Sequence, residues 1–66
     1  MKIKFTEDIK LAVVDYSWGE EYIMMIKKGD IKEVDWIEHN RHGYKNICFT
    51  KKEIADSVHQ SAFVVL

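Results

Sequence analysis

At 66 residues the chain has room for one domain, and a domain of that size buries only ~60% of the surface its unfolded form exposes, so its core is small. Ten basic residues against 11 acidic ones leave a formal charge of -1, which excludes a general attraction to nucleic acid or to an anionic membrane and leaves only local patches for either. One cysteine excludes an intrachain disulfide, and no apolar run approaches the ~20 residues that cross a bilayer.

Ile3 and Phe5 alternate with Lys2 and Lys4, the period of a half-exposed strand, until Thr6-Glu7-Asp8 breaks it. Leu11-Ala12-Val13-Val14 resumes the strand pattern. Asp15-Tyr16-Ser17-Trp18-Gly19-Glu20-Glu21 is a polar loop carrying two aromatics, the natural place for a binding surface. Tyr22-Ile23-Met24-Met25-Ile26 is an apolar strand. It runs into Lys27-Lys28-Gly29-Asp30, a strand-to-strand turn, because Gly29 takes a left-handed conformation without steric cost and Asp30 can bond its own backbone. Residues 31–37 form the next strand, with Ile31, Val34, Trp36 and Ile37 on an apolar face and Lys32, Glu33 and Asp35 outward. The step from Ile31 to Val34 breaks strict alternation, which predicts a bulge or a late strand start. Glu38-His39-Asn40-Arg41-His42-Gly43 is a turn by composition, and Tyr44-Lys45-Asn46-Ile47-Cys48-Phe49 returns as the second arm of a hairpin.

From Thr50 the local signals conflict. Thr50-Lys51-Lys52-Glu53 has the spacing of a helix capping box, and Ile54 and Val58 stand at helical spacing. Asp56 and Ser57 are poor helix interiors, however, and a turn at Lys51-Lys52 would let residues 53–58 pair back on the preceding strand. Strand is the favoured reading and helix the alternative. A tight helical turn over residues 59–62 follows, and Phe63-Val64-Val65-Leu66 closes the sheet. The expected fold is all-β, with residues 1–66 as one domain: a small antiparallel barrel of about five to six strands with a short helical turn near the C-terminus, closed so that no edge is left open.

Few residues here suggest chemistry. Cys48, between Ile47 and Phe49, reads as a buried thiol in a reducing compartment, and the charged start Met1-Lys2-Ile3-Lys4 leads into no secretory apolar run, so a cytoplasmic location is expected. His39 and His42, with Cys48 and His59 elsewhere, lack four convergent ligands, so neither a metal nor another cofactor is expected. Ser57 or Ser61, His59 and Asp56 are the residue types of a hydrolytic triad, but they lie too close along the chain to converge on a substrate. No nucleophile elbow or phosphate-binding glycine loop is present, and the chain is not expected to be an enzyme.

Among the aromatics, Tyr22 and Trp36 read as core or half-buried strand residues. Trp18 in its loop reads as an interface anchor, because a tryptophan buries a large area at small entropic cost. Tyr16, Glu20, Glu21 and Tyr44 join it as candidate partner-binding residues. Arg41, Lys45, Lys51 and Lys52, with His42 nearby, form a candidate phosphate- or nucleotide-binding group at one end of the central hairpins, where Tyr44 could stack on a base.

In the order of these elements the chain resembles an SH3 domain. That family opens with Ala-Leu-Tyr-Asp-Tyr, and this chain has Ala12-Val13-Val14-Asp15-Tyr16; the family's Leu-x-Phe-x-Lys-Gly-Asp/Glu is matched by Met24-Met25-Ile26-Lys27-Lys28-Gly29-Asp30. The family's Ile/Val-Pro-Ser-Asn-Tyr-Val is echoed by Val58-His59-Gln60-Ser61-Ala62-Phe63. The likeness covers about half the chain and falls on residues that build the barrel. The aromatic groove for proline-rich peptides would use positions occupied here by Val14, Tyr44, His59 and Ala62, with Tyr16 retained. The resemblance therefore implies an SH3-like barrel without the usual peptide groove, and the overall pattern is similar to small SH3-like proteins of bacteriophages and mobile elements. The functional expectation is a non-catalytic interaction module, an accessory protein of that kind that binds or inhibits a host protein, including a defence protein. The alternative is a nucleotide- or nucleic-acid-binding barrel, such as a sponge holding a nucleotide signal at the interface of a homo-oligomer.

Overall fold

A computed structural model of the protein describes residues 1–50 and 52–66, with Thr50 described by its backbone alone. Among the described residues eight strands follow in chain order: β1 (Lys2–Phe5), β2 (Ile9–Asp15), β3 (Glu20–Ile26), β4 (Ile31–Glu33), β5 (Trp36–His39), β6 (Tyr44–Thr50), β7 (Glu53–His59) and β8 (Phe63–Val65). A turn of 3-10 helix, Gln60–Ala62, precedes the last strand. Every pairing is antiparallel. The strands form a three-stranded sheet in the order β4-β1-β8 and a five-stranded sheet in the order β3-β2-β7-β6-β5. No helix among the described residues is long and apolar enough to cross a membrane.

The all-β expectation, the strand over residues 53–58 and the short helical turn are met. Closure is not: the ladders end in two sheets, with more strands than expected, instead of running round into one barrel. The extra strand arises at residues 31–37, which are not one bulged strand. Val34 N–H donates to Met1 O at 2.7 Å, in line with the β1–β4 ladder, and the very next amide, Asp35 N–H, donates to Cys48 O at 2.7 Å beside the β5–β6 ladder. The chain thus turns a corner from one sheet to the other at Val34, whose side chain lies in the core at 1% exposure. Broken alternation was the mark of that corner. It also corrects the expected apolar face. Val34 is buried and Ile37 packs against the core, but Ile31 is 54% exposed and Trp36 48%. Tyr22 is likewise a surface residue.

The core lies between the sheets. Ile3 and Phe5 of β1 and Phe63 of β8 belong to one cluster with Val13, Ile47 and Ala55 of the larger sheet, and the rings of Phe5 and Phe63 meet tilted, with centroids 6.3 Å apart. Ile54 and Val58, which stand at helical spacing, fall on opposite faces of β7, and a bulge is the cause. The register shifts between the Lys45–Val58 and Ile47–Ala55 pairs, so Asp56 and Ser57 together oppose Asn46 in a bulge, and Ala55 and Val58 both reach the core although three residues apart. Ser57 takes a φ of 58° there, and its N–H donates to Asn46 Oδ1 at 3.2 Å.

The turn at residues 27–30 joins β3 to β4, which lie in different sheets. Gly29 has a φ of 93°, and its N–H donates to Phe5 O at 2.8 Å, while Asp30 Oδ2 accepts from Lys27 N–H at 2.9 Å. Gly43, with a φ of 82°, follows His42 at 53°, and Tyr44 N–H closes onto Arg41 O at 2.9 Å, the geometry of a type I′ turn. A Cβ on Gly29 would meet nothing within 4 Å, whereas one on Gly43 would lie 3.1 Å from His59 Nε2. Gly29→Ala should therefore destabilise the protein by about 1–2 kcal/mol through backbone strain alone, and Gly43→Ala by more. Urea unfolding followed by circular dichroism measures both, and equal losses would contradict the close approach at His59.

Candidate functional site

The four-residue loop 16–19 joins β2 to β3 and is pinned on three sides. Ser17 N–H donates to Asp15 Oδ1 at 2.8 Å, Gly19 N–H to Asp15 O at 2.8 Å, and Tyr16 N–H to Lys52 O at 2.7 Å in the neighbouring β6–β7 turn. On this fixed pedestal Trp18 stands 80% exposed and Tyr16 60%. Glu20 and Glu21 open β3 beside them and are exposed. Tyr22, two residues on, gives its hydroxyl to Glu53 Oε2 at the start of β7. That hydrogen bond, with burial and the charges of Glu53 and Asp15, pushes the Tyr22 phenol up to about 12.

Tyr44 lies at the other end of the sheet. It pairs with His59, and the two rings meet edge to face with centroids 5.0 Å apart. Asn40, Arg41, His42, Tyr44 and Ser57 line a cavity of about 260 Å³ there. Two of these residues belong to a side-chain network that sequence reading did not find: Asn40 Nδ2 donates to Asn46 Oδ1 and to Ser57 Oγ, both at 3.1 Å. The available signal was compositional, since Asn46, Asp56 and Ser57 are weak strand formers set in facing strands. Lys45 does not line the cavity; its Nζ donates to His39 Nδ1 at 3.3 Å. His59 Nδ1 accepts from Ser61 N–H at 3.2 Å and lies 2.7 Å from Ser61 Oγ, so this histidine caps the 3-10 turn.

The two candidate sets are each divided. Tyr16, Trp18, Glu20 and Glu21 stand together, and Tyr44 stands a strand of seven residues away, about 20 Å at a rise of ~3.3 Å per step from its first residue to its last. Arg41 and Lys45 share the Tyr44 end, Lys52 sits at the Trp18 end, and Lys51 lies outside the described residues. Among the described residues the cations are thus not gathered at one end: Arg41 and Lys45 stand at the start of β6 and Lys52 beyond its end. The SH3 groove positions are also scattered. Tyr44 and His59 meet, Ala62 is buried, and Val14 lies on the outer face of the larger sheet opposite Ile54. Cys48 is 1% exposed, and burial, reinforced by Glu38, Asp35 and Asp56, raises its thiol pKa and keeps it neutral. Among the described residues no three His, Cys, Asp or Glu side chains are placed to hold a metal ion.

Compared with protein-family models, curated proteins and solved structures, the chain matches none. The reading of its sites therefore rests on their geometry. For Tyr22 the folded state holds the phenolic proton more tightly than the unfolded chain, where the group titrates at the ordinary 10.0. Its contribution to stability is complete below pH 10 and is lost as the pH rises to about 12. In urea titrations the difference between the parent and Tyr22→Phe should hold steady below pH 10 and shrink above it; a difference that does not change would show that the bond to Glu53 contributes nothing.

Proposed function

We propose that the protein is a non-catalytic interaction module on an SH3-like plan that binds a protein partner through Trp18. The observation that carries the reading is the side chain itself, an 80% exposed tryptophan on a loop fixed by hydrogen bonds to Asp15 and Lys52. Leaving so large an apolar side chain in water is unfavourable, and the fixed loop means that little freedom is lost when a partner covers it. With Tyr16 beside Trp18 and Asp15, Glu20 and Glu21 around them, the complementary surface is an apolar pocket with a basic rim.

The SH3-like plan is supported by the order of connections: a long first hairpin, a diverging turn at Gly29, the β5-β6-β7 meander, a 3-10 turn, and a last strand laid against the first. In its narrowest form the proposal is of a phage or mobile-element accessory protein acting on a host protein in the cytoplasm, a reading that rests on the overall pattern of the chain. A tagged protein carrying a photo-crosslinking residue at position 17 should capture a defined partner, and Trp18→Ala should weaken that complex by at least about tenfold. Capture unchanged by Trp18→Ala would overturn the assignment.

A second reading is favoured by the cavity at Tyr44. At about 260 Å³ it is below the ~300–1,000 Å³ of ordinary ligand pockets, and the ligand it would take is a phosphate held by Arg41 with a base against Tyr44. Nucleotides and short oligonucleotides should then raise the melting temperature of the parent and not of Arg41→Ala, with an effect that declines as salt is added. No shift with any nucleotide would remove this reading.

A further inference from the structure

We infer that β3 is a self-pairing edge: the β3 strands of two copies of this chain run antiparallel about Met24 to form a two-fold symmetric dimer. Four strands stand at the ends of the two sheets. β4, β5 and β8 have three, four and three residues, whereas β3 has seven and, among the described residues, pairs with β2 on one side only. Open edges are normally kept short, bulged, or interrupted by charge or proline, because their free N–H and C=O groups invite another strand. β3 has none of these devices between Tyr22 and Ile26. Ile23 and Met25 are each 59% exposed, on the sheet's outer face.

The charges at its two ends select the occupant. The run reads Glu20-Glu21-Tyr22-Ile23-Met24-Met25-Ile26-Lys27-Lys28, acidic at the start and basic at the end. Laid antiparallel on itself about Met24, it places Glu21 against Lys27 and Glu20 against Lys28 at both ends, with Tyr22 against Ile26 and Ile23 against Met25. Parallel alignment would set carboxylate on carboxylate and ammonium on ammonium. A slip of one residue would put Glu21 against Ile26 and turn the outer side chains of one copy to the core side of the other. One register therefore satisfies the charges, the apolar pairs and the faces together, and it is isologous, with the same patch used by both copies.

In this dimer Ile23 and Met25 of each copy form a four-membered apolar cluster on the outer face. The two Trp18 loops project from opposite ends of the joined strands, so Trp18 itself stays uncovered, while Glu20 and Glu21 lie at the border of the seam and the Trp18 surface. Edge-to-edge contact of two short strands falls at the low end of stable interfaces, below ~1,200 Å². The association is accordingly reversible, with a dissociation constant on the order of 10–100 µM.

Sedimentation equilibrium of the full chain from about 5 to 500 µM reads this directly. The parent should pass from monomer to dimer, more weakly in high salt, since the end pairs are exposed and screened. Glu21→Lys sets lysine against lysine and Lys27→Glu sets glutamate against glutamate, so each variant alone should dimerise at least about tenfold more weakly with an unchanged circular dichroism spectrum. An equimolar mixture of the two restores both opposed pairs and should form a one-to-one heterodimer at about the parent's affinity; the double variant should recover the homodimer. A parent that stays monomeric throughout, single variants that dimerise as well as the parent, or a mixture that remains monomeric would each overturn the inference.

Discussion

The amides of Val34 and Asp35, adjacent in the chain, are bonded to Met1 near one sheet and to Cys48 in the other. So short a chain cannot complete two sheets separately and still cover a core, and bending one extended segment lets both sheets share it without a connecting loop. The buried Val34 side chain then sits where the sheets diverge. The far side of the molecule repeats the device: Gln60 N–H donates to Gly43 O beside the larger sheet, Thr6 N–H donates to Ala62 O beside the smaller one, and the 3-10 turn lies between. Both corners must hold for β1 to be paired on its two sides, by β4 and by β8.

Features governed by nearest neighbours along the chain were legible in the sequence. The alternation around Ile3 and Phe5, the left-handed Gly29 and the turn before Phe63 are each fixed by a few consecutive residues. The strand at Glu53–His59 could be recognised because Asp56 and Ser57 suit a helix poorly, though the bulge they form, which sends Ile54 and Val58 to opposite faces, could not. What depends on partners distant in sequence was not legible. Ile31 and Trp36 look like core residues within their own segment, and only the change of sheet at Val34 decides that they face outward. Closure depends on whether the last and longest edges meet, which no local pattern encodes.

The division of the candidate sites has the same origin. In a meander of antiparallel strands, successive turns fall at opposite ends of the sheet. The 40–43 turn and the turn at Lys52 are separated by β6 alone, so Arg41 and Lys52 cannot converge, however close they are in sequence. Turns two strands apart share an end, which is why Tyr16 N–H reaches Lys52 O although the residues are far apart in the chain. A group of residues drawn from turns should therefore be counted by strands before it is treated as a site.

One face of the larger sheet packs on the core; the other carries a row in register across four strands, Val14, Ile54, Cys48 and Trp36, with Ile23 and Met25 nearby on β3. That outer face makes the β3 edge hazardous, because any strand that joins it gains apolar neighbours as well as hydrogen bonds. A heterologous contact there would propagate into a filament. An isologous one ends at two copies, since each β3 edge is consumed by the other. The opposite end of the sheet does not offer a second edge of the same kind: β5 has four residues, carries Glu38 and His39, and ties Trp36 Nε1 to Glu38 Oε1 at 3.1 Å. With charge at both ends of β3 and a short polar strand at the far edge, the sheet can grow once, in one direction and in one register.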